Sequence, residues 1–143
     1  MSKPKYLLDV NVLIALTEEE HVHHEKVMKW FRTPGLDWGM CAFSEAGLLR
    51  ATANPKVGEL TVEDSSDLLA ALASQSGYRY WPISTSWADL AAPFLERVFG
   101  HQQITDAYLL GLAIKEGGVL VTMDRGIKIL AGAEYSKNVL LLE

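Results

Sequence analysis

The sequence predicts an α/β fold built on a mainly parallel central sheet of about five strands. Two observations carry that prediction. Short apolar runs alternate with helical segments along the whole chain, and such alternation builds a parallel sheet with helical crossovers. Two of the clearest runs, KYLLDV and VLVTMD, stop at an aspartate. Ligands of open α/β sheets bind beyond the carboxyl ends of the strands. Asp9 and Asp124 therefore stand where a site is expected.

The first strand, KYLLDV, leads into VNVLIALT, a short helix or turn. From His21 to Phe31, residues Val22, Val27, Trp30 and Phe31 share a helical stripe with Lys26 and Lys29 opposite. TPGLD breaks it. WGMCAF is the second strand. Ser44 caps a helix through Ala51, and TANPKVG ends that helix because proline biases its predecessor away from helical geometry. Thr61 with Asp64 resembles a capping box before SSDLLAALASQSG, a helix closed by Gly77. YRYWPI is the third strand, and Ser86 with Asp89 opens a further helix. ITDAYLLGLAIKEGG is a strong helix ending in glycine. VLVTMD, short and β-branched, is the clearest buried strand. RGIKILAGA forms a short helix and NVLLLE the last strand.

The 143 residues fit one domain, 1–143, and 49% are hydrophobic, enough for a core at this size. No stretch has the apolar length of a membrane span. The opening MSKPKYLLDV has a basic start, but Asp9 and Asn11 interrupt its apolar run, so it does not read as a signal peptide. The single cysteine, Cys41, excludes an internal disulfide and suits core packing in a reducing, cytoplasmic setting. The net charge of −5 argues against nucleic-acid binding by blanket electrostatics. Nucleic acid remains a ligand only where something else supplies positive charge, as a divalent cation does.

Four acids begin or interrupt otherwise apolar segments: Asp9 in LLDVNVLIAL, Glu45 in FSEAGLLRAT, Asp106 in ITDAYLLGLA and Asp124 in LVTMDRG. Buried acids need partners or metal. Gathered together, they repel one another and raise each other's pKa unless a cation neutralises them. Hard, oxygen-seeking Mg²⁺ or Mn²⁺ suits such a set, and can activate water for in-line attack on a phosphodiester. Singly, each acid has an ordinary reading as a strand end, a turn or a helix first turn. Together they favour a site. Asn11, Thr105 and Thr122 stand beside these acids as supporting groups, and Arg50 as a further candidate. Tyr108 reads as core.

The ordered set LLDVNVLIAL, SEAGLLR, ITDAYLLGLA and LVTMDRG resembles the PIN-domain ribonucleases, and within them the VapC-type toxins of toxin–antitoxin pairs. The resemblance spans nearly the whole chain. No single motif is decisive; the order and spacing are specific. It implies a PIN-like three-layer α/β/α sandwich and a Mg²⁺-dependent endoribonuclease, with Mn²⁺ as a substitute. It places the metal and catalytic roles on Asp9, Glu45, Asp106 and Asp124, and all four acids are present. It further implies products with 3′-hydroxyl and 5′-phosphate ends, a cognate antitoxin, and a homodimer. Lys26, Lys29, Arg32, Arg79 and Arg125 are candidates to hold the RNA backbone. Residues of VMKWF and LLAALA are candidates for an apolar antitoxin groove, with core packing as their default role.

The rivals are weaker. A haloacid-dehalogenase-like phosphatase wants a second acid two residues after the first, where Asn11 stands. A receiver-type binding domain wants an acid ending its central third strand, and YRYWPI has none. A PIN domain that processes RNA without an antitoxin, and a non-catalytic acidic-pocket or RNA-binding scaffold, remain alternatives. The conspicuous EEEHVHHEKV reads as a solvated helix start, because the spacing of His21, His23 and His24 matches no recognised metal motif.

Overall fold

The computed structural model describes residues 3–143, so the first two residues of the basic start lie outside it. Its five strands are all parallel: β1 (Lys5–Leu8), β2 (Asp37–Met40), β3 (Tyr78–Tyr80), β4 (Val119–Thr122) and β5 (Val139–Leu141). They lie in the order β3-β2-β1-β4-β5. The helices are α1 (Val10–Thr17), α2 (His24–Phe31), α3 (Ala42–Ala53), α4 (Val62–Ala73), α5 (Trp87–Ala91), α6 (Ile104–Lys115) and α7 (Arg125–Ala131). Among the described residues, no helix is long and apolar enough to cross a membrane.

Strand alternation produces the three layers. Adjacent residues in a strand face opposite sides of the sheet. Leu7 and Leu120 enter one core with Leu109, Leu110 and Ile127 of α6 and α7. Their neighbours Leu8 and Val121 enter the other, with Val12, Val27, Leu48 and Leu72 of α1 to α4. Both middle strands are thus apolar on both faces, as a covered parallel sheet requires. The chain first steps outward from β1 to β3 with helices on one face. It then crosses back to β4 and runs on to β5 with helices on the other. Crossovers of a single hand demand that change of face when the direction reverses. The reversal lies between β1 and β4, where ligand crevices form in open α/β sheets.

Helix starts differ from expectation in two places. α3 begins at Ala42, capped by Cys41, and not at a Ser44 cap. Ser44 sits in the first turn, where its hydroxyl accepts from the Cys41 backbone N–H and donates back to the Cys41 carbonyl. A serine at that position serves the cap from inside the helix. α2 begins at His24 rather than His21, and Val22 is 86% exposed, so it leaves the predicted stripe. Gly77 does not close α4, which ends at Ala73; it makes the left-handed turn into β3 with φ of 83°. Thr61 and Ser86 cap their helices as expected. Gly47 has one packing role: a β-carbon there would collide with the Val10 side chain, so its absence lets α3 lie against the start of α1.

The histidines act as structure. His21 Nδ1 accepts from the His23 backbone N–H at 3.0 Å. His24 Nδ1 donates to the Ala15 carbonyl near the end of α1 at 2.8 Å, tethering α2 to α1. Among the described residues, no group of three or more histidine, cysteine or acidic side chains is placed to hold a metal ion. Replacing all three histidines with alanine removes the His24 tether between α1 and α2. Loss of the tether lowers stability by about 1 kcal/mol, read as a shift in a denaturant unfolding midpoint.

Candidate active site

Asp9 follows β1 directly and caps α1. Its backbone N–H donates to the Val121 carbonyl at 2.9 Å, which fixes the residue against β4. Its carboxylate is buried, 7% exposed. One oxygen accepts the Val10 N–H at 2.7 Å and the other the Thr122 hydroxyl at 2.7 Å. The wholly buried Thr122 oxygen also accepts the Asp124 backbone N–H at 3.0 Å. One hydroxyl therefore joins the two strand-end aspartates. Asp124, exposed, caps α7 by accepting the Gly126 N–H at 2.8 Å. Asn11 Oδ1 accepts the Met123 N–H at 3.3 Å. Its amide thus clamps the β4–α7 turn instead of reaching a carboxylate.

Asp106, half-buried in the first turn of α6, completes the cluster electrostatically. Burial pushes its carboxyl up, the Asp9 and Asp124 charges add to the rise, and it reaches about 6. Nothing lowers it: no hydrogen bond or cation offsets the repulsion. Burial also raises Asp9, against the bonds from Thr122 and Val10, and the Asp124 charge adds to that rise. The Asp124 charge thus acts on both Asp9 and Asp106, and the Asp9 charge on Asp106. Glu45 is raised by burial alone, and its charge acts on Tyr78, whose phenol is raised first by burial and then by Glu45.

The supporting candidates separate in the same way. Thr122 and Asn11 are bonded into the cluster's frame. Thr105 and Arg50 are exposed. Tyr108 is half-buried and stacks on Phe43 with ring centroids 4.4 Å apart. Of the basic residues, Arg79 pairs with Asp37 at 3.5 Å and Arg125 with Glu143 at 3.2 Å, while Lys26, Lys29 and Arg32 are exposed on and just after α2. Sequence reasoning missed the bracing between α6 and α7. The Arg97 guanidinium donates to the Leu130 and Ala131 carbonyls at 2.7 and 3.1 Å. The Gln103 carboxamide holds the turn before α6 through the N–H groups of Phe99 and Gly100. The only local signal was a glutamine three residues after Gly100.

The donor chemistry fits a hard divalent cation. Carboxylate oxygens with hydroxyl and amide neighbours suit Mg²⁺ or Mn²⁺, and the unrelieved charge on Asp106 is what such a cation would neutralise.

Removing the bridging hydroxyl should be costly. Thr122→Val keeps shape but deprives the buried Asp9 carboxylate of one donor and the Asp124 N–H of its acceptor. We expect a loss of about 1–3 kcal/mol in chemical denaturation. Any activity of this site should fall about 10–100-fold, as for groups that orient the side chains of a reactive centre. Thr122→Ser should restore most of both.

A doubly wound α/β domain with acids at its strand-order reversal is one class of ligand-binding or catalytic fold. The PIN domain family model matches residues 6–133. Ribonuclease VapC38 of Mycobacterium tuberculosis is 39% identical over 128 residues, covering 87% of this chain and 89% of that protein. Ribonuclease VapC44 of the same organism is 35% identical over 128 residues, with the same coverage. The fold is shared with the crystal structure of FitAcB from Neisseria gonorrhoeae at a TM-score of 0.65 and 20% identity, covering 96% of each chain. It is shared too with PAE2754 from Pyrobaculum aerophilum at a TM-score of 0.62 and 19% identity, covering 97% of this chain and 84% of that one. The chain belongs to the PIN-domain family, among its VapC-type ribonucleases.

Proposed function

We propose that the chain is a Mg²⁺-dependent endoribonuclease that acts as the toxin of a toxin–antitoxin pair. One observation carries the catalytic part: at the strand-order reversal the buried Thr122 hydroxyl joins the Asp9 carboxylate to the start of the Asp124 turn, and the charges of both aspartates act on Asp106. The relatives named ribonucleases support the substrate class. A bound Mg²⁺ or Mn²⁺ would neutralise the acids, activate water and stabilise charge at the phosphodiester. Asp9, Asp106 and Asp124 would hold it after their side chains close on one another, because among the described residues no three such groups already stand at metal-binding separation. Thr122 keeps the Asp9 carboxylate turned toward its neighbours, and Asn11 keeps the β4–α7 turn in place. Glu45, at the margin, completes the acidic set from α3. Cleavage leaves 3′-hydroxyl and 5′-phosphate ends.

A groove of about 240 Å³ supports the antitoxin reading. It lies between α2 and α4, lined by Leu16, Met28, Phe31, Leu68, Ala71 and Leu72. An amphipathic helix laid into such a groove is a common mode of peptide recognition. A homodimer and a cytoplasmic setting belong to the same reading.

The test is cleavage of total RNA by purified protein, with 5′ ends mapped. Activity should vanish in EDTA and return with Mg²⁺ or Mn²⁺. Undiminished cleavage in EDTA would overturn the metal assignment. Growth arrest on expression, relieved by co-expressing a small adjacent open reading frame, separates a toxin from an RNA-processing enzyme.

A further inference from the structure

We propose that the open edge of β5 is the face on which two copies of this chain pair, joining their sheets into one; the inference rests on the homodimer of the reading above and gives it an interface. β5 ends the sheet and bonds to β4 alone. The Thr122 carbonyl accepts the Leu142 N–H at 2.9 Å. Successive residues of a strand turn their backbone groups to opposite sides. Leu140 and Leu142 therefore serve β4, and Val139, Leu141 and Glu143 turn theirs outward. The Val139 N–H is already used on the Ser136 carbonyl. The free row thus offers an acceptor at Val139, a donor and an acceptor at Leu141, and a donor at Glu143.

An unpaired strand edge is a template for another strand, and proteins guard such edges with charge or proline. The opposite edge, β3, has both guards, Arg79 within it and Pro82 just after it. β5 has neither: Val139 to Leu142 reads VLLL. Beside it runs a groove of about 530 Å³, lined by Lys128 and Ile129 of α7 and by Val139, Leu141 and Glu143. Ile129 is 74% exposed. The occupant follows from the pattern, because the strand turned antiparallel about Leu141 matches itself. Leu141 exchanges two hydrogen bonds with the partner's Leu141, and the Glu143 N–H meets the partner's Val139 carbonyl. Leu140 falls opposite the partner's Leu142, and such cross-strand pairs stabilise a sheet. The partner's Glu143 arrives opposite Val139, in the groove that holds Lys128. Among the described residues Lys128 makes no ion pair. Glu143 is held only by an exposed contact with Arg125, of a kind worth little in water. Pairing gives Lys128 an acid, once on each side of the two-fold axis.

The test is sedimentation equilibrium of the full chain. Wild type should be dimeric. Leu141→Pro removes an outward donor and no bond to β4, a place where edge strands tolerate proline. It should be a monomer with the circular dichroism of wild type. Lys128→Glu and Glu143→Lys should each weaken the dimer about 10-fold. Mixing these two variants should restore it, because the mixed interface again holds two opposite pairs; that rescue decides the matter even where the proline chain fails to fold. Leu141→Cys should cross-link under mild oxidation, since hydrogen-bonded strand partners lie about 5.5 Å apart at Cα. Leu142→Cys, which falls opposite position 140, should not, and the native Cys41 is buried. A dimer indifferent to the proline and to both charge reversals would overturn this face and leave the homodimer. Cross-linking at 142 and not at 141 would overturn the pairing. So would a Leu141 amide protected from hydrogen exchange only when a co-expressed partner protein is bound, which would assign the edge to that partner. Wild type that stays monomeric at every concentration would overturn both the face and the homodimer.

Discussion

Asp106→Asn is expected to raise the stability of the cation-free protein at neutral pH while abolishing RNA cleavage. The folded protein holds the Asp106 proton up to about pH 6, the unfolded chain only to its ordinary 3.8. Between these values the folded state binds more protons, so stability falls as pH rises. The penalty is absent below the lower value and complete above the higher. Asparagine removes the charge and, with no hydrogen bond stabilising this carboxylate, forfeits little. After allowance for solvent screening the gain is about 1 kcal/mol, or roughly 2–4 °C in Tm for a chain of this length. Cleavage should fall by on the order of 10³-fold, as for loss of a group that stabilises transition-state charge. Scanning calorimetry at pH 5 and 7.5 with and without Mg²⁺ checks the cause. Mg²⁺ should raise the wild-type Tm at pH 7.5 much more than at pH 5, and should do little to the variant. A variant less stable than wild type at pH 7.5 in EDTA would contradict the repulsion argument. Stability given up for a charged cluster is the trade expected of a functional site.

The apolar strands made the architecture legible in the sequence. KYLLDV and VLVTMD have no polar face, so both had to lie under helices on both sides, and an aspartate at the end of each marked the same edge of the sheet. The order β3-β2-β1-β4-β5 was less accessible, because pairing across the β1–β4 junction joins segments more than a hundred residues apart. The acids divide along the same line. Asp9 and Asp124 were readable from strand ends. Thr122 stood out as a hydroxyl beside Asp124, but its bridge to Asp9 exists only because β4 lies next to β1. Where Glu45 stands relative to the other acids was not legible from motif spacing. It follows β2, one strand away from the reversal, and its charge falls on Tyr78 rather than on Asp106. The histidines mislead for a related reason. They read as part of a solvated helix start, whereas the half-buried His24 ring is used on the Ala15 carbonyl, a contact set by how α1 meets α2.

Asp9→Asn should also lose on the order of 10³-fold in cleavage, but with a different stability signature, and the contrast separates the two aspartates. The Asp9 carboxylate accepts from two donors, the Val10 N–H and the Thr122 hydroxyl. Asparagine keeps one oxygen. Turned toward Val10, that oxygen preserves the cap on α1, for which asparagine and aspartate are equally good. The amide nitrogen then faces the Thr122 oxygen, which still has to accept the Asp124 N–H, and the Thr122 proton loses its acceptor. A lost buried hydrogen bond costs about 1 kcal/mol. Set against it is relief from holding a charge in a site where burial raises its pKa. The two effects oppose each other, so the unfolding midpoint should stay within about 1 kcal/mol of wild type. Adding Thr122→Val to Asp9→Asn should cost less than adding it to the wild type, because the bond to the Asp9 carboxylate is already gone. Such non-additivity is expected of residues in direct contact. The fourfold comparison of wild type, two single variants and the double variant in denaturant reads it directly. Strictly additive costs would show that Thr122 supports the site without its bond to Asp9, through the Asp124 N–H it accepts and through β4 packing. Full activity in Asp9→Asn would remove this aspartate from the chemistry and leave it as the cap of α1.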